Sequence, residues 1–413
     1  MSLPSCPMTS GVEWLDQGFL AEPFDALARL RTESPVLFDA ELQHYVVTRY
    51  ADVEEVLRDR TTFLAANASA PIWPPAEAAQ RILQDNGYRR VPTLNNADPP
   101  RHAPMRTATR TCMTPRRLAS LEADLRAFAR GLVEDLARQP VVDLVEALAD
   151  PLPSHAGLGL LGFPDSAATQ ILHWSDKRVL FTYGHLPEEE QVEVARMMVD
   201  FWNSVEAFVH ERERDRLDDV TSDLLRYQDD QSDVTVEDVV NIVYSLALAG
   251  HDSTSNAIAN TLRRLLSAPD QWRLLCDEPG LIPNAVEEGL RFDPPVMGHR
   301  RLVARDTHIG GVPVPAGAKL VLLFASAGRD ADHFARPDEF DVHRSNAGEH
   351  LAFGKGVHFC LGAPLARLEL QIVLELLTEL APAMRLVEGQ TFEYSANALF
   401  RSLRHLLVAP GAA

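Results

Sequence analysis

The sequence predicts a mainly α protein with minor β, folded as a single domain. Helical spacing of apolar residues recurs over most of the 413 positions, and strand-like patterns are confined to three short stretches. No internal repeat, low-complexity tract or linker divides the chain, so one domain over 1–413 is expected. Residues 22–33 (EPFDALARLRTE) read as an amphipathic helix. Residues 35–48 read as two short strands turning at Asp39–Leu42, and 51–59 as helix again. The stretch 61–100 is irregular and carries Pro71, Pro74, Pro75, Pro92, Pro99 and Pro100. So long a proline-rich segment inside a compact chain is expected to be a functional loop or lid. Helical periodicity returns at 102–110, 115–137, 165–182, 187–214, 234–266, 269–277 and 281–292, the 234–266 helix being long and central. Short strands with turn signals follow near 299–323, then a helix over 358–380 and strand pairs over 384–409.

Composition excludes several classes. With 46% hydrophobic and 24% charged residues the chain is ordinary globular material with ample core, neither disordered nor a collagen or disulfide scaffold. A net charge of −20 argues against a nucleic-acid partner. The amino terminus lacks a basic segment followed by an apolar one. No run approaches the roughly 18 apolar residues of a membrane span. The best stretch, Ile242 to Ala249, is interrupted by Tyr244 and Ser245 and followed by Gly250, His251 and Asp252. A soluble, cytoplasmic monomer is expected. Cys6, Cys112, Cys276 and Cys360 are far apart and form no CxxC pair, which fits a reducing compartment and removes zinc-finger and iron–sulfur readings.

Residues 157–162 (GLGLLG) match the dinucleotide-binding pattern GxGxxG. That pattern needs a preceding strand, and DPLPSHA, with two prolines, supplies none. The segment reads as a helix end and turn closed by Pro164.

The strongest chemical signal is residues 353–367, FGKGVHFCLGAPLAR. Gly354 and Gly356 allow a tight backbone loop that can approach a flat ligand. Cys360 stands immediately before a helical pattern (Leu365, Leu368, Ile372), where backbone N–H groups and the helix dipole favour a thiolate. A thiolate so held, beneath Phe353, suits an axial ligand to haem iron, onto which it pushes electron density and favours O–O cleavage.

This loop resembles the haem-binding loop of the cytochrome P450 family, soluble bacterial class. Three further motifs agree in the right order, and the resemblance spans essentially the whole chain. Glu288 and Arg291 in AVEEGLRF resemble the family's ExxR pair, which with a later arginine, here Arg344 in FDVHR, locks the fold around the haem in a structural role. Ala249-Gly250-His251-Asp252-Ser253-Thr254 is similar to A-G-x-[DE]-T in mid-helix, where Gly250 weakens the helix. There the alcohol can hydrogen-bond oxygen at the iron and the acid can relay protons from solvent. The sequence departs from the pattern: Ser253 stands in place of the usual threonine, and Thr254 follows and could share the role. His102 and Arg106 in DPPRHAPMR share a helix face and resemble the pair that binds one haem propionate. His299 and Arg301 in GHRRLVARD resemble the partners of the other, with His358 adding a donor. Ala249, Gly250, Phe353, Gly354 and Gly362 complete the haem contacts implied.

The resemblance implies the P450 fold, haem b (iron protoporphyrin IX) on Cys360, and a monooxygenase that activates O2. It would hydroxylate, O-dealkylate or epoxidise a small hydrophobic substrate of aromatic, terpenoid or polyketide type. Motif offsets place the substrate pocket at Leu64 to Trp73 in the 61–100 access loop, and at Leu248, Ala249, Val296, Met297, Leu399 and Phe400. Because the haem domain uses all 413 residues, electrons are expected from a separate ferredoxin and its reductase. Arg110, Arg116, Arg117, Lys355 and Arg367 are candidates for a basic docking patch. Ser253 leaves open a P450-fold enzyme of another reaction class, such as a peroxygenase, an oxidative coupler or an isomerase. A non-enzymatic haem binder is the third alternative.

Overall fold

The computed structural model describes residues 10–411. Cys6 and the amino-terminal reading lie outside them. Five strands form the main sheet: β1 (Val36–Asp39), β2 (His44–Val47), β3 (Phe63–Leu64), β4 (Gly298–Val303) and β5 (Lys319–Leu323), in the order β1-β2-β5-β4-β3. The expected hairpin at Asp39–Leu42 forms, with Val36 opposite Val47, and β2 then runs parallel to β5. In the β4–β5 register Arg300 faces Val321 and Arg301 faces Leu320. Successive strand residues point to opposite faces, so these neighbouring arginines go to different places. The carboxy-terminal strand pairs are short: Arg385–Leu386 and Leu407–Ala409 pair with each other, and Val142–Asp143 joins them.

Six helices position the site: α1 (His102–Cys112), α2 (Ala168–Tyr183), α3 (Val236–Ala249), α4 (Asp252–Leu266), α5 (Ile282–Phe292) and α6 (Ala363–Leu380). The continuous helix expected over 234–266 is interrupted. A capping box starts α3: Thr235 Oγ1 accepts from Asp238 N–H at 3.2 Å, and the Asp238 carboxylate accepts from Thr235 N–H at 2.9 Å. Regular helix ends at Ala249, and α4 starts after His251. Gly250 sits at this break against a crossing helix, Pro151–Leu161; a Cβ on Gly157 would lie 3.9 Å from its Cα. That crossing helix replaces the nucleotide loop GLGLLG might have signalled. Its end at Gly162 is left-handed, at φ 85°.

Besides short turns of helix such as Gln17–Ala21, Phe324–Ala327 and Val145–Ala149, two helices were not anticipated: Val220–Asp230 is short and acidic, and Glu77–Asp85 lies between prolines in the stretch read as irregular. The helix whose end was read at GLGLLG reaches back to Pro151, is nearly all apolar and shows no periodicity. The helix expected from 358 begins only at Ala363, because residues 353–362 form the glycine loop.

The largest core cluster runs along α3, α4, α5 and α6. α5 crosses α4 so closely that a Cβ on Gly289 would lie 2.5 Å from Thr261 Oγ1. Gly289→Ala gains about 1 kcal/mol of helix propensity. Overpacking costs about 1–3 kcal/mol. The variant is therefore expected to unfold at lower urea than the parent, with an unchanged slope. Among the described residues no helix is long and apolar enough to cross a membrane.

Candidate active site

The loop 353–362 turns through Gly354 and Gly356, at φ 67° and 72°. At Gly356 a Cβ would also lie 2.7 Å from the Leu57 carbonyl oxygen, so both conformation and space call for glycine. The Cys360 N–H donates to the Phe353 carbonyl at 2.9 Å, closing the loop and leaving the sulfur exposed just before α6. Although the residue keeps open surface, the protein packed around it withholds enough water to push the Cys360 thiol up. The N–H groups of Gly362 and Ala363 and the charges of Arg106 and Arg367 pull it down. The upward push prevails for the bare thiol, and a coordinated metal ion would remove the proton. Arg367 lies 4.6 Å over the Phe353 ring and pairs with Glu287 at 2.6 and 2.8 Å.

Beside this loop α1 brings His102 and Arg106, and β4 brings His299 and Arg301. The His102 and His358 rings are 4.3 Å apart. Arg301 Nη1 lies 3.1 Å from His299 Nδ1, and Arg106 Nη2 donates to the Phe359 carbonyl at 2.6 Å. Burial and the charge of Arg301 push His299 and His358 down to about 3, so both are neutral. Burial also pushes Arg301 down to about 10. Asp98 is the acid whose charge reaches Arg301, and its carboxylate is already taken by the Ala65 N–H at 2.8 Å. His102 Nε2 is buried without a partner. Buried cations and donors of this kind need an external counter-charge, and two propionates beside the exposed Cys360 sulfur would supply it. The residues present fit haem. Arg300, on the other face of β4, instead donates to the Ala68 carbonyl at 3.0 Å and lies 5.2 Å from the Tyr183 ring centroid.

At the break between α3 and α4, Ala249 is exposed. Ser253 Oγ donates to the Ala249 carbonyl at 2.9 Å, whereas Thr254 is buried. Asp252 is buried and accepts from Ser175 Oγ at 2.8 Å. Carboxyl oxygens of Asp252 and Asp176 and a ring nitrogen of His251 lie within 4.8 Å of one another. Burial, then the neighbouring Asp176 charge, pushes Asp252 far above the usual carboxylate range. Burial also pushes His251 down to about 4. His251 Nδ1 faces Ser154 Oγ at 3.1 Å. Ser175, Asp176 and Ser154 join the group only through tertiary packing, and nothing near them in the sequence marks them.

Glu288, Arg291 and Arg344 meet in the core. Glu288 accepts from Arg291 Nε and Nη2 at 2.6 and 2.8 Å, from Arg344 Nε at 3.0 and 3.1 Å, and from the Asp341 N–H at 2.9 Å. Both guanidinium groups also donate to carbonyls of the 328–339 segment, among them Gly328, Pro337 and Arg336.

Of the expected pocket residues, Leu64, Trp73, Leu248, Ala249, Val296 and Phe400 keep open surface. Met297 and Leu399 do not. They are 0% and 1% exposed and pack with Trp14 and Leu27, so they belong to the core. Val296 pairs with Phe400 across a β-bridge, and the residue next to each points the other way. The basic patch is also reduced. Arg117 is held by Asp218 and Asp223, Lys355 by Glu54, and Arg367 by Glu287. Arg110 and Arg116 remain exposed.

The family model described as Cytochrome P450 matches residues 280–379. Cytochrome P450 107B1 of Saccharopolyspora erythraea is 32% identical over 96% of this chain and 97% of its own. Cytochrome P450 monooxygenase PikC of Streptomyces venezuelae is 34% identical over 95% and 92%. The solved structure of cytochrome P450 CREJ in complex with (4-ethylphenyl) dihydrogen phosphate superposes at TM-score 0.94, with 36% identity over 97% of this chain and 99% of that one. Near-complete coverage at this identity, on a fold that presents an exposed cysteine beside uncompensated buried cations, leaves one assignment: the chain is a haem-b monooxygenase of the cytochrome P450 family.

Proposed function

We propose that the enzyme oxidises a small, largely aromatic organic substrate with O2 and electrons from a separate ferredoxin and its reductase, acting as a cytoplasmic monomer whose haem domain occupies 1–413. The observation that carries this reading is the lining of the site. Trp73, Leu248, Ala249, Val296 and Phe400 each keep open apolar or aromatic surface, and Leu248 and Ala249 adjoin the acid and alcohols at the helix break. The aromatic ligand of CREJ supports the same size class. In the proposed mechanism Cys360 would hold the haem iron through its sulfur. His102, Arg106, His299, Arg301 and His358 would hold the propionates, and Phe353, Gly354, Gly362, Ala249 and Gly250 would pack against the haem. Haem b, when bound, supplies O2 activation through its thiolate-ligated iron.

The protein's own part is proton management. Asp252 holds its proton more tightly than an ordinary carboxylic acid, because burial and then the neighbouring Asp176 charge disfavour its charged form. It can give that proton toward Ser253 or Thr254 and be recharged through Asp176, which is exposed. Asn has the shape of the neutral acid, so Asp252→Asn is expected to fold and to bind substrate normally. Turnover is expected to fall by about 10²-fold, with more O2 consumed per product. Undiminished, coupled turnover would remove Asp252 from the relay.

The test of the function compares NADPH-driven turnover through a ferredoxin chain with peroxide-driven turnover on a panel of small aromatics. Faster ferredoxin-driven oxidation supports the monooxygenase reading, and faster peroxide-driven oxidation replaces it by a peroxygenase. Arg110 and Arg116 are candidates to meet the ferredoxin, and rising salt should slow the first reaction and not the second.

A further inference from the structure

Two arginines beside α3 have no counter-charge. Arg90, in the segment after Glu77–Asp85, and Arg178, on α2, are half-buried side chains. The Nε atoms of both are buried without a hydrogen-bond partner. The charged neighbour that acts on Arg90 is Arg178 itself, and the other groups acting on either are the phenols of Tyr88, Tyr183 and Tyr244. In a chain with 59 acidic residues, neither arginine forms an ion pair among the described residues, and after burial the largest influences on the two come from Arg178 and from phenols. Asp176, two positions before Arg178, is turned to Asp252 instead.

Two like charges held together and partly out of water, with no acid to pair them, are costly, and a fold keeps them only where something repays the cost. The setting says what would. Tyr88 and Tyr244 stand with their hydroxyls 3.2 Å apart, so phenol donors lie beside the guanidinium groups. The segment carrying Arg90 is fixed along α3: Val91 N–H donates to Asn241 Oδ1 at 3.0 Å, and Thr93 Oγ1 lies 2.9 Å from Ser245 Oγ. Tyr244 precedes Ala249 by five residues on that helix, roughly 7 Å along its axis. That is about the reach of one para-substituted ring.

We propose that Arg90 and Arg178, with Tyr88 and Tyr244, recognise the headgroup of the substrate, and that this headgroup is a dianionic tetrahedral oxyanion, a phosphate monoester on a small aromatic ring. This rests on the monooxygenase reading of the same site and names its substrate class. Two guanidinium groups balance a dianion, and three terminal oxygens match the spread of forked and phenolic donors better than a planar carboxylate does. The ring then spans toward Ala249 and presents its para substituent to the haem side.

The experiment uses the haem-loaded enzyme and three probes: 4-propylphenyl phosphate, 4-propylphenol and 4-propylbenzoate. Affinity is read by calorimetry and by the substrate-induced change in the haem spectrum. The parent is expected to bind the phosphate about 10- to 100-fold more tightly than the phenol. Arg178→Met and Arg90→Met should each remove most of that preference and leave phenol binding unchanged or better. Without ligand, both variants should melt at or above the parent temperature, because an unpaired, partly buried charge has been removed; structural arginines would melt lower. No phosphate preference in the parent, a preference that survives both substitutions, or tighter binding of the benzoate would each overturn the proposal. Oxidation of the phenol without phosphate preference would sink this inference alone, whereas failure to oxidise any aromatic would sink the functional reading.

Discussion

Cys360→Ser is expected to abolish the thiolate-type Soret band of the dithionite-reduced, CO-bound protein and to bring NADPH-driven turnover to background. The sulfur is the exposed atom of a loop whose backbone is otherwise committed. Its own N–H is bonded to Phe353, and the N–H groups of Gly362 and Ala363 point at the sulfur. Serine keeps the shape of the turn, so the guanidinium groups of Arg106 and Arg301 and the donors of the three neutral histidines should still retain haem. What it removes is the electron-rich ligand that favours O–O cleavage. The spectrum separates the outcomes. Loss of the thiolate band with haem retained places the ligand at Cys360, and an unchanged band in the serine variant would show that another group ligates the iron.

The second large effect is expected at Glu288. One buried carboxylate accepts from two guanidinium groups and a backbone N–H, and those arginines tie down the carbonyls of the 328–339 segment. Removing one partner of a buried pair costs about 3–5 kcal/mol because the other charge is left uncompensated. Here two cations would be stranded. Glu288→Ala should therefore lose haem during expression and unfold several kcal/mol more easily in urea, as should Arg291→Ala. Glu288→Gln keeps the acceptor but not the charge and should fall between. Haem content and stability equal to the parent in Glu288→Ala would contradict a locking role.

What was legible in the sequence follows the range of the interaction responsible. The cysteine loop could be read because its glycines, its cysteine and the following helix are contiguous. The break near Gly250 could be anticipated as a weak point, but not its extent, which depends on the crossing helix at Gly157. Glu77–Asp85 was hidden by surrounding prolines; of Pro151–Leu161 only the end at GLGLLG was read, because a nearly all-apolar helix shows no periodicity. Met297 and Leu399 were misplaced because a motif offset fixes position along a strand, not which face is turned inward. Arg90 and Arg178 left no mark at all. They are 88 positions apart, and only the fold makes them neighbours that share no acid.

The Glu288 cluster also sets a delay during synthesis. Arg291 is made three residues after Glu288, but Arg344 is 56 residues further on. At about 5–20 residues per second the ribosome needs roughly 3–11 s to cover that distance. Throughout that interval α5 carries its carboxylate with one arginine and no covering segment. Cys360 lies later still, so the chain cannot close the cluster or present its sulfur until almost all of it has been translated. A nascent chain stalled before Arg344 should therefore be open to protease around α5, and one released after Ala363 should not.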